Sequence, residues 1–554
     1  MAEVLSAEEI EMLNRQFLIA LAGLACLGAT LSAACFDYAN DCRLLATCCP
    51  DGTLDCLTTN TGGHDGGTGG SGSDCSGDPS SANVVDACGV FAQADAPAGG
   101  DGTMAMPYAT LGDAVTTAQT AGKRVYACTS APFKEAVTIS AGIEVYGGLD
   151  CTKGWSWSQT ARAMLDGPAD AVALTVTSTA SGAMVEGFAI MGASPSSMTM
   201  RGSSIAMVVD DVAATLDNCD VKANDAADGA DGTTPSTPVT QGAGAPLPVD
   251  GQEDACINAA SLVGGAPGTM MCGTVDTSGG VGGKGGITGT MDGNGQPGAS
   301  GANPATMPKV GMDGLGGVGQ TDPAGTCTNG DQGAPGGNGA AGEGGSAMGD
   351  ALTITGIGNS DDTDGQPGTP GQGGGGGGGA MSGMFCPGGV DGNGASGGGG
   401  GAGGCGGLGG GGGNAGGSSI AIVSLGTSLT LTAVTLAVGT GGKGGNGVTG
   451  QNGGVGGNGA SGGAASATPP SNPGCNGLDG GKGGAGGPGG GGRGGHAVGI
   501  AYAKTPAAGP TVTTFTSGAP GAGGTAGSGA PASSNGMSGI QGPCWDFSAN
   551  LACK

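Results

Sequence analysis

Few residues in this chain are spaced for chemistry. Ser360 to Gly365 reads SDDTDG and sets Asp361, Asp362 and Asp364 before a glycine. Oxygen-bearing side chains at alternate places are what a calcium loop needs. The stretch lacks the first-position Asp and twelfth-position Glu of such loops, so an exposed acidic turn is the plainer reading. Asp210 and Asp211 form an acid pair of the kind that glycoside hydrolysis uses, although that chemistry would want a third acid and a histidine nearby. Trp155 and Trp157, in GWSWS, could stack on a sugar face or cap the end of a strand stack. Histidine occurs only at His64 and His496, too few to assemble a Ser-His-Asp or Cys-His set. GGKGG strings lack the GxxxxGK[ST] pattern that cradles phosphate. The expectation is therefore no catalytic residue and no cofactor, with calcium the one metal worth testing.

The other reactive atoms are sulfur. Nineteen cysteines without zinc spacing point to disulfides and an oxidising compartment. Residues 12–34 carry Arg15, an apolar stretch from Phe17 to Leu31 and small residues before Cys35. This is signal-peptide organisation, too short to span a bilayer, and it places the expected translation start at Met12. Ser-Ala-Ala-Cys at 32–35 is similar to a lipobox, which would put a lipid on Cys35; cleavage after Ala34 without lipid is the alternative. The formal charge is −28, about −25 once residues 1–34 are removed, which disfavours nucleic acid and anionic lipid headgroups.

Glycine dominates what must hold these groups. It supplies 134 of 554 residues, and between Gly441 and Gly462 it falls at every third place. Similar runs cover 394–412 and 474–495. A period of three fits neither helix nor strand and matches an extended left-handed helix without internal hydrogen bonds. Rods of this polyglycine-II type have one edge of bare backbone, along which neighbours can exchange N–H and C=O bonds. Collagen would need proline at X and Y, and Gly441–Gly462 has none.

Between the runs lie short β-branched segments: EAVTI, IEVYGG, VALTVT and AMVEGFAIMGA, after an expected helix at 111–121 and strand at 124–128. GSSIAMVVDDVAATLDNCDVKA from Gly202 aligns without a gap on GSSIAIVSLGTSLTLTAVTLAV from Gly417. That alignment matches Ile205, Leu216, Cys219 and Val221 to Ile420, Leu431, Val434 and Leu436. Both copies change alternation phase at one place, where a corner would turn the backbone. A weaker third copy starts at Gly495. The expected fold class is all-β, with right-handed parallel β-helix rungs and glycine-rich inserts of polyglycine-II type.

The expected organisation has a signal peptide at 1–34, a Cys-rich segment at 35–57 and a Gly/Ser/Thr linker at 58–84. A strand-built core covers 85–223. Glycine-rich inserts at 224–350, 359–416 and 440–495 alternate with rungs at 351–358, 417–439 and 496–517, before a tail at 518–554 in which Cys544 and Cys553 could close a loop.

Residues 102–148 resemble the opening of extracellular right-handed β-helix proteins. The matching elements are Gly102-Thr103, Pro107-Tyr108-Ala109-Thr110-Leu111, Val125-Tyr126, Glu135-Ala136-Val137-Thr138-Ile139 and Gly142-Ile143-Glu144-Val145-Tyr146-Gly147. The rest is similar to glycine-rich PGRS-type bacterial surface proteins, without the amino-terminal Pro-Glu helical domain. The resemblance implies a cell-surface, outer-membrane or secreted location and no enzymatic role. The expected function is a non-enzymatic structural or adhesive surface protein, attached to membrane or envelope and with no nucleic-acid partner. A carbohydrate-binding or carbohydrate-active protein using Trp155, Trp157, Asp210 and Asp211 is the alternative, and calcium-dependent surface assembly the third reading.

Overall fold

A computed structural model describes residues 75–79, 83–196, 202–246, 263–289, 293–304, 313–346, 351–354, 356–358, 363–426, 428–465, 470–504 and 512–553. The signal-peptide and Cys35 readings lie outside the described residues.

The apolar segments pair into three mostly parallel sheets of seven, six and seven strands. From Ala163 to Tyr502, apart from the hairpins in the glycine-rich segments, the backbone visits the second, third and first sheet in turn. Gapless copies become neighbours: Ile205 sits beside Ile420, Leu216 beside Leu431 and Val221 beside Leu436. The phase change between copies falls at Asn218 (φ 51°) and Ala433 (φ 49°), whose left-handed backbone leads from the first sheet into the second. Strands Ser204–Val209, Ser419–Ser424 and Ala497–Tyr502 of the third sheet are buried at every residue. Side chains such as Met207, Ile422 and Ile500 point into the main core, while Ile205, Val208, Ile420 and Val423 pack on the opposite face. Burial on both faces explains their unbroken apolar sequence.

One helix, α1 (Leu111–Ala121), lies against this core through Leu111, Ala114, Val115 and Ala118. Thr110 caps it, accepting from the Asp113 amide, and Gly122 (φ 63°) ends it. The carboxylate of Glu135 adds acceptors for the Leu111 and Gly112 amides.

The expected class, an all-β right-handed β-helix with polyglycine-II inserts, is corrected by these elements. The described residues form several mostly parallel sheets with few helices, and they include antiparallel hairpins where rungs or featureless inserts were expected. The stretch 351–358 is a hairpin, Leu352–Thr353 against Gly356–Ile357, in which Gly356, paired with Thr353, takes φ 102°. Met271–Cys272 pairs with Val275–Asp276 around Gly273 (φ 64°), and Gly383–Cys386 with Val390–Gly392 around Gly388 and Gly389. AMVEGFAIMGA is two strands, Ala183–Glu186 and Phe188–Gly192, broken by Gly187 (φ 72°).

The glycine-rich segments hydrogen-bond to one another rather than internally. The run 373–379 is wholly buried glycine. Its amides point in rotation to three rows: Gly373, Gly376 and Gly379 to Ala302, Ala299 and Gln296; Gly374 and Gly377 to Gly401 and Gly398; Gly375 and Gly378 to Asp331 and Thr328. Its carbonyls accept from three further rows, through Gly280, Gly317 and Leu478 among others. A row enclosed by six neighbours has no outward direction, so no position tolerates a side chain. A Cβ at Gly376 would sit 2.2 Å from the Val281 carbonyl oxygen. In 441–462 one direction faces out. There the pattern becomes Gly-Gly-X, with Lys443, Asn446, Asn452, Val455 and Asn458 exposed.

Outward X residues would leave their amides without a backbone acceptor, and Asx-Gly pairs on adjacent rows supply one. Asp228 Oδ1 accepts from the Lys443 amide (2.7 Å) while Gly229 N–H donates to the Lys443 carbonyl (2.7 Å). Asp231-Gly232 clamps Asn446 in the same way, Asn446-Gly447 clamps Thr525, Asn329-Gly330 clamps Asn476 and Asn338-Gly339 clamps Ala485. Asp228→Ala is expected to lower unfolding stability by about 1–2 kcal/mol, the usual cost of losing a charge-assisted bond. Denaturant titration checks this, and an unchanged midpoint would show that the clamp carries no stability.

Disulfides Cys272–Cys405 and Cys327–Cys475 join distant rows across 133 and 148 residues. Cys75–Cys88, Cys128–Cys151 and Cys544–Cys553 close shorter loops. Cys219 is a free thiol buried in the core, its pKa pushed up to about 12 by that burial.

Candidate functional site

Parallel register stacks like positions of successive strands on one face of a sheet. In the first sheet this makes a row of Phe91, Tyr126, Tyr146, Glu186, Asp217 and Thr432. Its aromatic end is covered by Asn83 and Val84: Tyr126 Oη donates to the Asn83 carbonyl (2.7 Å), and Val84 packs among the rings. Trp155 (φ 60°) completes that cluster, edge-on to Phe91 at 4.8 Å between centroids. At 5% exposure it fills core and offers no face to a sugar.

The acidic end of the row carries its carboxyl groups, with Glu186 itself buried. Glu186 and Asp217 are register partners on adjacent strands, and Glu144 lies two residues before Tyr146 on the same face. Arg124 Nε is 2.5 Å from Glu144, and its guanidinium lies 5.2 Å over the Tyr146 ring. Arg162 donates to Asn218 Oδ1 and to the Gln159 and Ala161 carbonyls. Burial raises the Glu186 pKa to about 7, helped by the charges of Asp78, Asp217 and Glu144 and opposed by Arg162. Burial, with Asp78, also raises that of Asp217. A carboxyl group held near 7 can give up or take a proton near neutral pH, which is what acid–base chemistry requires.

Glu186 therefore keeps its proton in the fold where the unfolded state, at 4.5, has lost it. The folded state binds more protons between those values, so its stability falls as pH rises from 4.5 to 7 and levels off above. Glu186→Gln is expected to raise stability by roughly 1–2 kcal/mol above that window and to leave it unchanged below. Denaturation midpoints on either side of the window check this; stabilisation confined to acidic pH would contradict it.

The residues singled out from sequence lie elsewhere. Asp210 and Asp211 follow a third-sheet strand, Asp210 half-buried and Asp211 exposed at φ 28°, apart from the Glu186–Asp217 row of the first sheet. Trp157 is half-buried in a two-residue strand beside Leu149, with its indole N–H buried and without a partner among the described residues. Asp364 is exposed and accepts from the Gly412 amide (2.7 Å), so it braces a row; Asp361 and Asp362 lie outside the described residues. No group of three His, Cys, Asp or Glu among the described residues could hold a metal. His496 is fully buried, accepts from the Ile540 amide at Nδ1 and meets Arg493 at Nε2. Burial and Arg493 hold its pKa well below 6.5.

Sequence reading missed Glu186 and Asp217. The signal was a three-way alignment of MVEGF, TLDNC and TLTAV, in which the last residue before the left-handed corner is Glu186, Asp217 and Thr432.

No family model, no curated protein and no solved structure matches this sequence. Among the described residues no helix is long and apolar enough to cross a membrane.

Proposed function

We propose that the protein is a non-enzymatic structural or adhesive element of the bacterial surface or exterior. The observation that supports this most is the glycine bundle, bonded backbone to backbone and cross-linked by Cys272–Cys405 and Cys327–Cys475. Disulfides of this kind suit an oxidising compartment. The bundle offers little for chemistry but a durable surface with side chains repeated every three residues. The sequence adds the means of attachment, a lipid on Cys35 followed by a glycine-rich spacer that starts at Thr58 and ends before Cys75, which is bridged to Cys88 in the folded body. Protease treatment of intact cells, with thiol labelling before and after reduction, tests this reading. Released peptides from the glycine rows and labelling only after reduction are expected; an intracellular, reduced protein would overturn it.

A second reading, a carbohydrate-active protein, draws support from the Glu186–Asp217 pair beside Arg162. Polysaccharide cleavage that is lost in Glu186→Gln and in Asp217→Asn, and kept in Asp210→Asn, would favour it over the structural role.

A further inference from the structure

The sequence contains nine Asn-Gly pairs, at Asn294, Asn329, Asn338, Asn393, Asn446, Asn452, Asn458, Asn476 and Asn535. In such a pair the glycine nitrogen can attack the carboxamide carbon of the asparagine, because no Cβ hinders the approach. The bond from that carbon to Nδ2 breaks, ammonia leaves and the glycine amide proton passes to solvent base, closing a succinimide. Water then opens the ring at either carbonyl, leaving aspartate or isoaspartate. The attack requires a free glycine nitrogen and a free carboxamide.

The bundle withholds both at six of the pairs and the glycine nitrogen at two more. Gly330, Gly339 and Gly447 donate to Asn476, Ala485 and Thr525, while Asn329, Asn338 and Asn446 accept from the amides of those same residues. Asn393, Asn476 and Asn535 accept from Thr288, Gly462 and Ala526, and the glycine after each is bonded to another row. Gly295 donates to Gln320 and Gly459 to Asp479 Oδ1.

Asn452-Gly453 is different. The neighbouring row takes the amides of Gly441, Gly444 and Gly447 at Ala519, Ala522 and Thr525, then turns away at Gly529 (φ 90°). Gly453 lies past that end, and its amide has no hydrogen-bond partner among the described residues. The Asn452 side chain is exposed and likewise unpartnered among them. We propose that Asn452 is a modification site, the place where the native protein undergoes spontaneous amide hydrolysis to aspartate and isoaspartate, while the clamped Asn-Gly pairs are held in their original form.

The test uses the full, disulfide-bonded protein in alkaline buffer made with heavy-oxygen water, followed by peptide mapping. Oxygen label is expected at Asn452 first, at a rate about tenfold or more above that at Asn329, Asn338 and Asn446, because those must open locally before they react. In the reduced, denatured protein the nine pairs should converge to similar rates. Label at the clamped pairs as early as at Asn452, or none at Asn452 in a native protein whose denatured form is labelled there, would overturn the proposal.

Discussion

Gly376→Ala is expected to destabilise the glycine bundle by about 3 kcal/mol or more, at the upper end of overpacking costs. The added methyl meets the Val281 carbonyl oxygen at 2.2 Å and the carbonyl carbon at 2.5 Å. Both are backbone atoms of a row that is itself bonded to 374 and 377, so neither can rotate away as a side chain would. Relief would mean parting two rows and losing several bonds together. Val455→Ala, at an outward position 58% exposed, should change stability by no more than about 0.5 kcal/mol. Denaturant unfolding of the two variants checks the contrast. Equal effects would mean that enclosure by six rows does not constrain the backbone.

Removing both long-range disulfides should have the largest effect of all. Chain entropy alone assigns about 5 kcal/mol to closing loops of 133 or 148 residues, before any loss to strain or residual structure. The glycine rows make this cost unusually important. Glycine loses more conformational freedom on ordering than any other residue, and these rows bury little apolar surface in return. Cys272→Ser/Cys405→Ser combined with Cys327→Ser/Cys475→Ser should abolish cooperative unfolding of the rows. The strands around Ile205 and Ile420, which have their own apolar packing, should keep theirs. Calorimetry with and without the two bridges decides this, and an unchanged transition would show the bonds to be incidental.

Much of the local pattern could be read from the residues. The gapless repeat carries its register openly, because like residues stack on like when parallel strands lie side by side; Ile205 beside Ile420 and Leu216 beside Leu431 follow from it. The phase change before Cys219 and Val434 marked the corner now seen at Asn218 and Ala433. Helix α1 and the strand Arg124–Cys128 also lie where the sequence led us to expect a helix and a strand.

Other features had no such signal. The fold class was misjudged because short segments near glycine suit a hairpin as well as a parallel strand, and only the pairing, with left-handed backbone at Gly273 and Gly388, distinguishes them. Which glycine row meets which was equally hidden. A bare backbone edge is the same on every row, so Cys405 could not be matched to Cys272 from spacing. The acid row was missed because Glu186 and Asp217 lie 31 residues apart and meet only through register; the adjacent pair Asp210–Asp211 drew attention by contiguity alone.

Amide hydrogen exchange, followed residue by residue through 373–379 and 397–401, tests most directly whether the rows are held by backbone bonds to one another. Protection comparable to that of strands Ser204–Val209 and Ser419–Ser424 is predicted, with faster exchange at Gly450 and Gly453, where the neighbouring row has ended. Exchange throughout 373–379 at the rate of an unfolded peptide would contradict it.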